Sequence, residues 1–397
     1  MQNRFVKVTL IGALALAMLG TVGCDRTKAL KADDRKPAKL VKIDSQVNVL
    51  TSVGTLSLPQ NSKLPKGSKI NKKDNPDLQI ADLGQQFVTA SRAGRVSVYQ
   101  GTVQLWSLDV QDVITSGVGA DLNSNIAVVG TRSGKVVAID LKSKSILWQK
   151  QLASSSLAPA LVGDNRVMIS ANDGVVYALN LQTGEPVWQF STQTPSVSVR
   201  GTAKPLRLDG DVALFGMADG RIHALSAETG RPFWTRRIGQ AVGGSQVHRM
   251  SDVDGQPLIV GTHLYVASYS GQLAGFDMAT GQTIFVAPLA STKTLTALGS
   301  LVVGSSVDGD VAAFDRITGD KAWQNSDLKY RQLTNPVAVG AYVAVGDLDG
   351  VVHLFDNQGK IVGRYQGKGK ITSLYASNGR LYAQTADDKI MVWQINA

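Results

Sequence analysis

The chain has 397 residues and a formal net charge of +10, from 41 Lys and Arg against 31 Asp and Glu. Charged residues make up only 18% of it, apolar residues 43%, and 40 residues are glycine, which excludes a coiled coil and a largely disordered chain. A single cysteine, Cys24, also excludes an internal disulfide framework and any cysteine-cluster metal site. What remains is a core-forming, turn-rich β protein, a class in which long chains often form one domain.

Residues 1–23 read as an export signal. Arg4 and Lys7 make a positive start, and 8–23 is an uncharged, mostly apolar run of 16 residues, shorter than the ~20 that a membrane span needs. The run ends in Thr21-Val22-Gly23-Cys24, which resembles the bacterial lipobox, although Thr21 stands where a Leu is usual. Cys24 is therefore expected to carry lipid as the first residue of the mature chain. Loss of Arg4 and Lys7 with the signal leaves a net charge of +8. From 25 to about 73 the chain is rich in Lys, Asp, Ser and Pro without periodicity. Residues 24–43 are read as a solvated tether and 44–397 as the globular body.

The body is a repeat, and the repeat decides the fold. Gly94, Gly134, Gly174, Gly220, Gly271, Gly309 and Gly350 recur at spacings of 40, 40, 46, 51, 38 and 41, and an eighth copy follows 38 later with Asp388 in place of Gly. Two residues after each anchor stands an apolar side chain (Val96, Val136, Val176, Ile222, Leu273, Val311, Val352, Ile390), and five after it a large one (Tyr99, Ile139, Leu179, Leu225, Phe276, Phe314, Phe355, Trp393). Asp140, Asn180, Asp277, Asp315 and Asp356 follow at six, where short polar side chains close Asx turns. Trp148, Trp188, Trp234, Phe285 and Trp323 follow at fourteen.

Asp-Gly at four of the anchors predicts a two-residue hairpin turn with φ > 0 at both positions. The strand after it keeps Ala138, Ala178, Ala224 and Ala313 small, as a close approach between sheets requires. A Thr-Gly turn then leads to the aromatic strand, and a further apolar strand precedes each anchor. Four short strands per ~40 residues, repeated radially, make a β-propeller. The expected fold is all-β: an eight-bladed propeller of four-stranded antiparallel blades. The eighth unit ends at Ala397, before its own aromatic strand, and Val47-Asn48-Val49-Leu50 is placed to supply the missing one and close the ring.

Few residues suggest catalysis. His223 and His353 share one repeat column in non-adjacent blades, which suits strand histidines better than a shared metal. Asp252-Val253-Asp254-Gly255 and Asp347-Leu348-Asp349-Gly350 begin like acidic calcium loops but lack the third Asp and the later Glu. There is no nucleophile elbow, zinc helix or phosphate loop. Despite its charge, an exported lipoprotein is not expected to meet nucleic acid.

The pattern of residues 173–188, Asp-Gly-x-Val-x-Ala-Leu-Asn-x-x-Thr-Gly-x-x-x-Trp, resembles the PQQ-type propeller repeat. Residues 195–201 (Pro-Ser-Val-Ser-Val-Arg-Gly) and 249–254 (Arg-Met-Ser-Asp-Val-Asp) resemble signature stretches of the BamB family, as do 326–328 and 333–336. The resemblance implies a non-enzymatic scaffold without cofactor, lipid-anchored to the periplasmic face of the outer membrane. It would bind the periplasmic POTRA region of the barrel subunit BamA, work beside other assembly lipoproteins, and assist unfolded outer membrane proteins. Asp25, after Cys24, matches a known signal for inner-membrane retention; the family favours the outer membrane. Carried over by position, the contact residues are Val197, Val199, Arg200, Asp252 and Asp254. They fall where the repeat stretches to 46 and 51 residues, and extra length in a propeller goes into binding loops. The alternative for the same residues is structural, with Val197 and Val199 buried and Arg200 pairing with Asp252 to tie the loops. Two other functions share the fold: a quinoprotein dehydrogenase-like enzyme, which needs a calcium-bound quinone, and a periplasmic glycan-binding propeller.

Overall fold

Runs such as Val175–Asn180 and Val351–Phe355 are apolar at successive positions rather than at alternate ones, so both faces of each strand must be covered. The computed structural model shows how. It describes residues 35–396 except 61–62, 67, 69, 71–77, 194–202, 240–251 and 279. The described residues form eight four-stranded sheets, each of them antiparallel wherever its strands pair. Blades one to seven span 81–109, 119–151, 161–191, 206–237, 258–288, 296–325 and 337–366. The core comprises eight apolar layers, one in each gap between neighbouring blades. In blade three Val176 and Ala178 face blade four, while Tyr177 and Leu179 face blade two.

The anchor turns differ from the two-residue hairpin that Asp-Gly predicts. In blade three the Gly174 N–H donates to Ala171 O at 3.0 Å and the Ala171 N–H to Val175 O at 3.0 Å. This is a three-residue loop in which Gly174 alone has positive φ, +79°, while Asp173 does not. Blade eight makes the same turn with Asp388 at φ +54°. The Asx turns form as expected; Asn180 Oδ1, for example, accepts the N–H groups of Gln182 and Thr183 at 2.9 and 3.0 Å.

The aromatic and Thr-Gly columns meet across the blade gaps. Trp148 of blade two donates its Nε1–H to Leu181 O of blade three at 2.8 Å, and Trp188 repeats the contact to Ala227 O at 3.0 Å. Each ring lies against the turn glycine of the next blade. A Cβ at Gly184 would sit 2.7 Å from Trp148, and one at Gly230 2.6 Å from Trp188; Gly319 and Gly359 would clash likewise with Phe285 and Trp323. The small alanines face the same aromatics from within their own blades, since Ala138, Ala178, Ala224 and Ala313 pair with Trp148, Trp188, Trp234 and Trp323.

Ring closure uses the N-terminus, as expected, but three residues further along than the sequence suggested. The strand is Leu50–Ser57, outermost in blade eight and paired with Lys389–Ile395. Val47 and Val49 precede it and instead pack against blades seven and eight, because Tyr365 captures the backbone there: its hydroxyl donates to Val47 O at 2.6 Å and accepts the Val49 N–H at 3.0 Å. Between blades eight and one, Arg92 pairs with Asp388 at 3.2 Å and Tyr375 donates to Asp82 at 3.0 Å. Residues 38–43, counted with the tether from sequence, lie against blades six and seven. The Ala38 N–H donates to Lys329 O, Arg331 donates to Ala38 O, Arg364 donates to Val41 O, and Ile43 joins the apolar layer. Residues 38–397 form one compact unit; of residues 1–37, which make a separate one, 35–37 are described.

Two outcomes follow for stability. Gly230→Ala puts a Cβ into the Trp188 ring at φ +74°, whereas Gly84→Ala at φ +80° meets nothing within 4 Å. The first should cost about 3 kcal/mol and the second about 1 kcal/mol in denaturant unfolding, the difference being the clash. Thermal melts of truncated chains test closure: a chain beginning at residue 38 should melt like the mature protein, and one beginning at 58 should lose its cooperative transition or aggregate from the exposed edge.

Candidate functional site

Each outer strand hands the chain back to the innermost strand of the next blade, and these connections share one end of the ring. From blade one to blade eight the two longest are 192–205, between blades three and four, and 238–257, between blades four and five. Val197, Val199 and Arg200 lie outside the described residues, as does Cys24. Asp252 and Asp254 are described, and neither stands out on the rim.

Asp252 is wholly buried. Its carbonyl accepts the Tyr269 N–H of blade five at 2.9 Å, and the next residue, Val253, donates its N–H to Met217 O of blade four at 3.2 Å. Val253 packs so closely that a Cβ at Gly216 would lie 2.8 Å from its Cγ1. This segment therefore stitches two blades together. The sequence could not reveal that, because the longest insertion has no repeat column to align its end.

Asp254 lies further in. Gly255 presses on the connection between blades five and six, where an added Cβ would be 2.4 Å from Lys293 O, and the Gln256 N–H donates to Thr294 Oγ1 at 3.1 Å. Between these contacts Asp254 borders a cavity of about 250 Å³ at the ring axis, with Lys204, Lys293, Gln256, Asn335 and Tyr375 among its lining. Neither oxygen of the Asp254 carboxyl is hydrogen-bonded. Burial, reinforced by the nearby Asp252 charge and only partly opposed by Lys293, pushes this carboxyl up to about 8. Burial likewise lowers Lys204, and burial together with Lys293 lowers Lys370.

A second charged cluster is tied together by ion pairs and hydrogen bonds. Arg331 bridges Asp347 at 2.7 Å and Asp349 at 2.5 Å. His353 sits 3.0 Å from Asp347 through Nε2, and Arg364 donates to its Nδ1 at 3.3 Å. Because Arg364 can only donate, Nδ1 carries the lone pair and Nε2–H donates to Asp347. Burial lowers His353 against the pull of Asp347. Burial alone would raise Asp347, but hydrogen bonds from His353, Val351 N–H and Arg331 hold it below the usual carboxylate range. The run at 347–350 is thus a turn that anchors Arg331, which in turn holds Ala38. His223 is tied in the same manner, 3.0 Å from Asp219 and 3.1 Å from Thr235. Among the described residues no three His, Cys, Asp or Glu side chains converge as a metal site.

Comparison with known proteins fits this geometry. The family model described as outer membrane protein assembly factor BamB matches residues 92–325 and 307–397. The outer membrane protein assembly factor BamB of Shewanella oneidensis is 30% identical over 275 residues, covering 66% of this chain and 69% of that protein. The crystal structure of BamB from Moraxella catarrhalis is 51% identical, covers 87% of this chain and 100% of that one, and superposes with a TM-score of 0.81. A quinohemoprotein alcohol dehydrogenase from Pseudomonas putida HK5, 12% identical with a TM-score of 0.64, shares the fold alone.

The pH dependence of stability tests the Asp254 environment. Between about pH 4 and pH 8 the folded chain holds a proton on Asp254 that the unfolded chain releases, so this group makes stability fall as pH rises through that window. Asp254→Asn should therefore raise Tm at pH 8 and change it little at pH 4, as read by parallel thermal melts.

Proposed function

The chain belongs to the family of outer membrane protein assembly factor BamB, and from that premise we propose that it is a non-catalytic scaffold of the outer membrane assembly machinery. It works on the periplasmic face of the outer membrane, held there by lipid on Cys24. Residue 38 docks on the propeller, and the tether is residues 24–37, a reach of roughly 50 Å at full extension. That length keeps the ring close to the membrane while letting it tilt.

The partner surface is the rim formed by the connections 192–205 and 238–257, and the observation that supports this reading is the anchorage of the second. Residues 252–253, at its end, are stitched to blades four and five, a rigid base of the kind a binding loop needs. We assign to this rim the POTRA region of the barrel subunit BamA. Val197 and Val199 supply an apolar anchor and Arg200 a planar fork of donors. Asp252, buried beneath, orients the loop ends, and Asp254 acts from the channel side. Other assembly lipoproteins and unfolded outer membrane proteins are reached through this complex, the latter by strand addition to outer blade edges.

Arg200→Ala should weaken binding to BamA by ~1.5–3 kcal/mol, about tenfold to a hundredfold, with Tm shifted by no more than a surface change allows. Co-purification from membranes and thermal melting of the same variant measure both quantities. Normal binding by a destabilised variant would make Arg200 a structural tie instead. The non-catalytic assignment is checked by the absorbance spectrum of purified protein, which should show no quinone band.

A further inference from the structure

The two charged clusters differ, and the difference points to a ligand. Around Asp347, Arg331 is ion-paired to both Asp347 and Asp349. In the axial cavity Lys204 and Lys293 form no ion pair among the described residues, although burial makes the Lys204 ammonium costly to hold. Lys293 also borders an adjoining cavity of about 280 Å³, which it shares with Lys370 and Gln332. There Lys370 donates only to the neutral Gln332, at 2.7 Å. Three lysines thus line two adjoining cavities, and Asp254, the one carboxyl among their described lining residues, makes no hydrogen bond.

We propose that the axial channel is a binding site for an oxyanion, a carboxylate or phosphate group, with the Lys204 and Lys293 ammonium groups as its charge partners. These lysines come from different blade connections, so a bound anion would join blades that do not otherwise share a charge. Gln256 lines the same cavity and offers an amide donor. At about 250 Å³ the cavity has room for a small acid and several waters, each needing about 30 Å³. Asp254 sets the pH range. It faces Asp252 on its own segment, Lys293 across the gap, and Lys204, Tyr375 and Tyr382 around the cavity. Neutral below about pH 8, it leaves the cavity cationic; once ionised, it competes with the ligand for the same lysines. The site shares Asp254 with the proposed BamA surface, but its lysines are no part of that surface and its test uses the mature protein alone, so neither proposal falls with the other.

Calorimetric titration of the mature protein with succinate and with inorganic phosphate, at pH 6.5 and constant ionic strength in sodium chloride, provides the test. Saturable binding should appear, and the tighter of the two ligands identifies the oxyanion as carboxylate or phosphate. Lys204→Met and Lys293→Met should each weaken it at least tenfold while remaining folded, since each removes an unpaired charge. Between pH 6.5 and 9 succinate affinity should fall at least fivefold in the parent and clearly less in Asp254→Asn. Heats no larger than those of chloride, or undiminished binding in both lysine variants, would overturn the site. Identical pH profiles in the parent and Asp254→Asn would remove Asp254 from it.

Discussion

An indole or phenyl ring lying on a turn glycine of the next blade is the contact on which this molecule is built. It fixes how far apart two sheets stand, because the ring fills the space that any Cβ at Gly184, Gly230, Gly319 or Gly359 would need. The backbone makes the same demand, since Gly184 and Gly230 lie at φ +72° and +74°, where other residues are strained. From this spacing follow the small side chains on the third strand and the apolar character of both strand faces. The conserved distance between blades also explains why units of 38 and 51 residues fit one ring: the extra length lies in connections, outside the latch.

A ring of inter-blade layers has no outermost layer to leave exposed, but its first and last blades must be joined. The strand Leu50–Ser57 does this by completing blade eight from the other end of the chain, which removes an unpaired sheet edge. Such a long-range pairing carries a loop-closure cost that grows only slowly with length, and the buried faces of Leu50 and Leu56 offset it in two different layers. The segment before that strand is held as well. Tyr365, Arg364 and Arg331 each bind its backbone, so the chain from residue 38 to the closing strand runs along blades six and seven rather than along the ring's seam.

Paired and unpaired charge divide the ring into structural and receptive regions. Where Arg331, Asp347 and His353 interlock, hydrogen bonds and ion pairs oppose the desolvation and the cluster holds the N-terminal strap. Around the axis the Asp254 carboxyl has no hydrogen bond, and burial moves both Asp254 and Lys204 toward neutrality. That end of the ring also carries the connections 192–205 and 238–257, where the repeat spacing is most stretched.

The eight-unit repeat, its columns and the closing role of the N-terminus were legible in the sequence because each unit meets the same neighbours, and identical environments select identical residue types. The conformation of the anchor turns was misread, since Asp-Gly favours a two-residue turn only when the flanking pairing permits it, and here Ala171–Val175 pairing imposes three. The start of the closing strand slipped by three residues because Val47 and Val49 are apolar at alternate positions, as strand residues are, whereas Tyr365, 316 residues from Val49, binds the backbone there instead. Asp252 and Asp254 looked like loop acceptors because an insertion has no column to compare with. Tertiary structure buried one beneath blades four and five and set the other beside lysines from two other connections, and no local pattern records which side chains a closed ring brings to its axis.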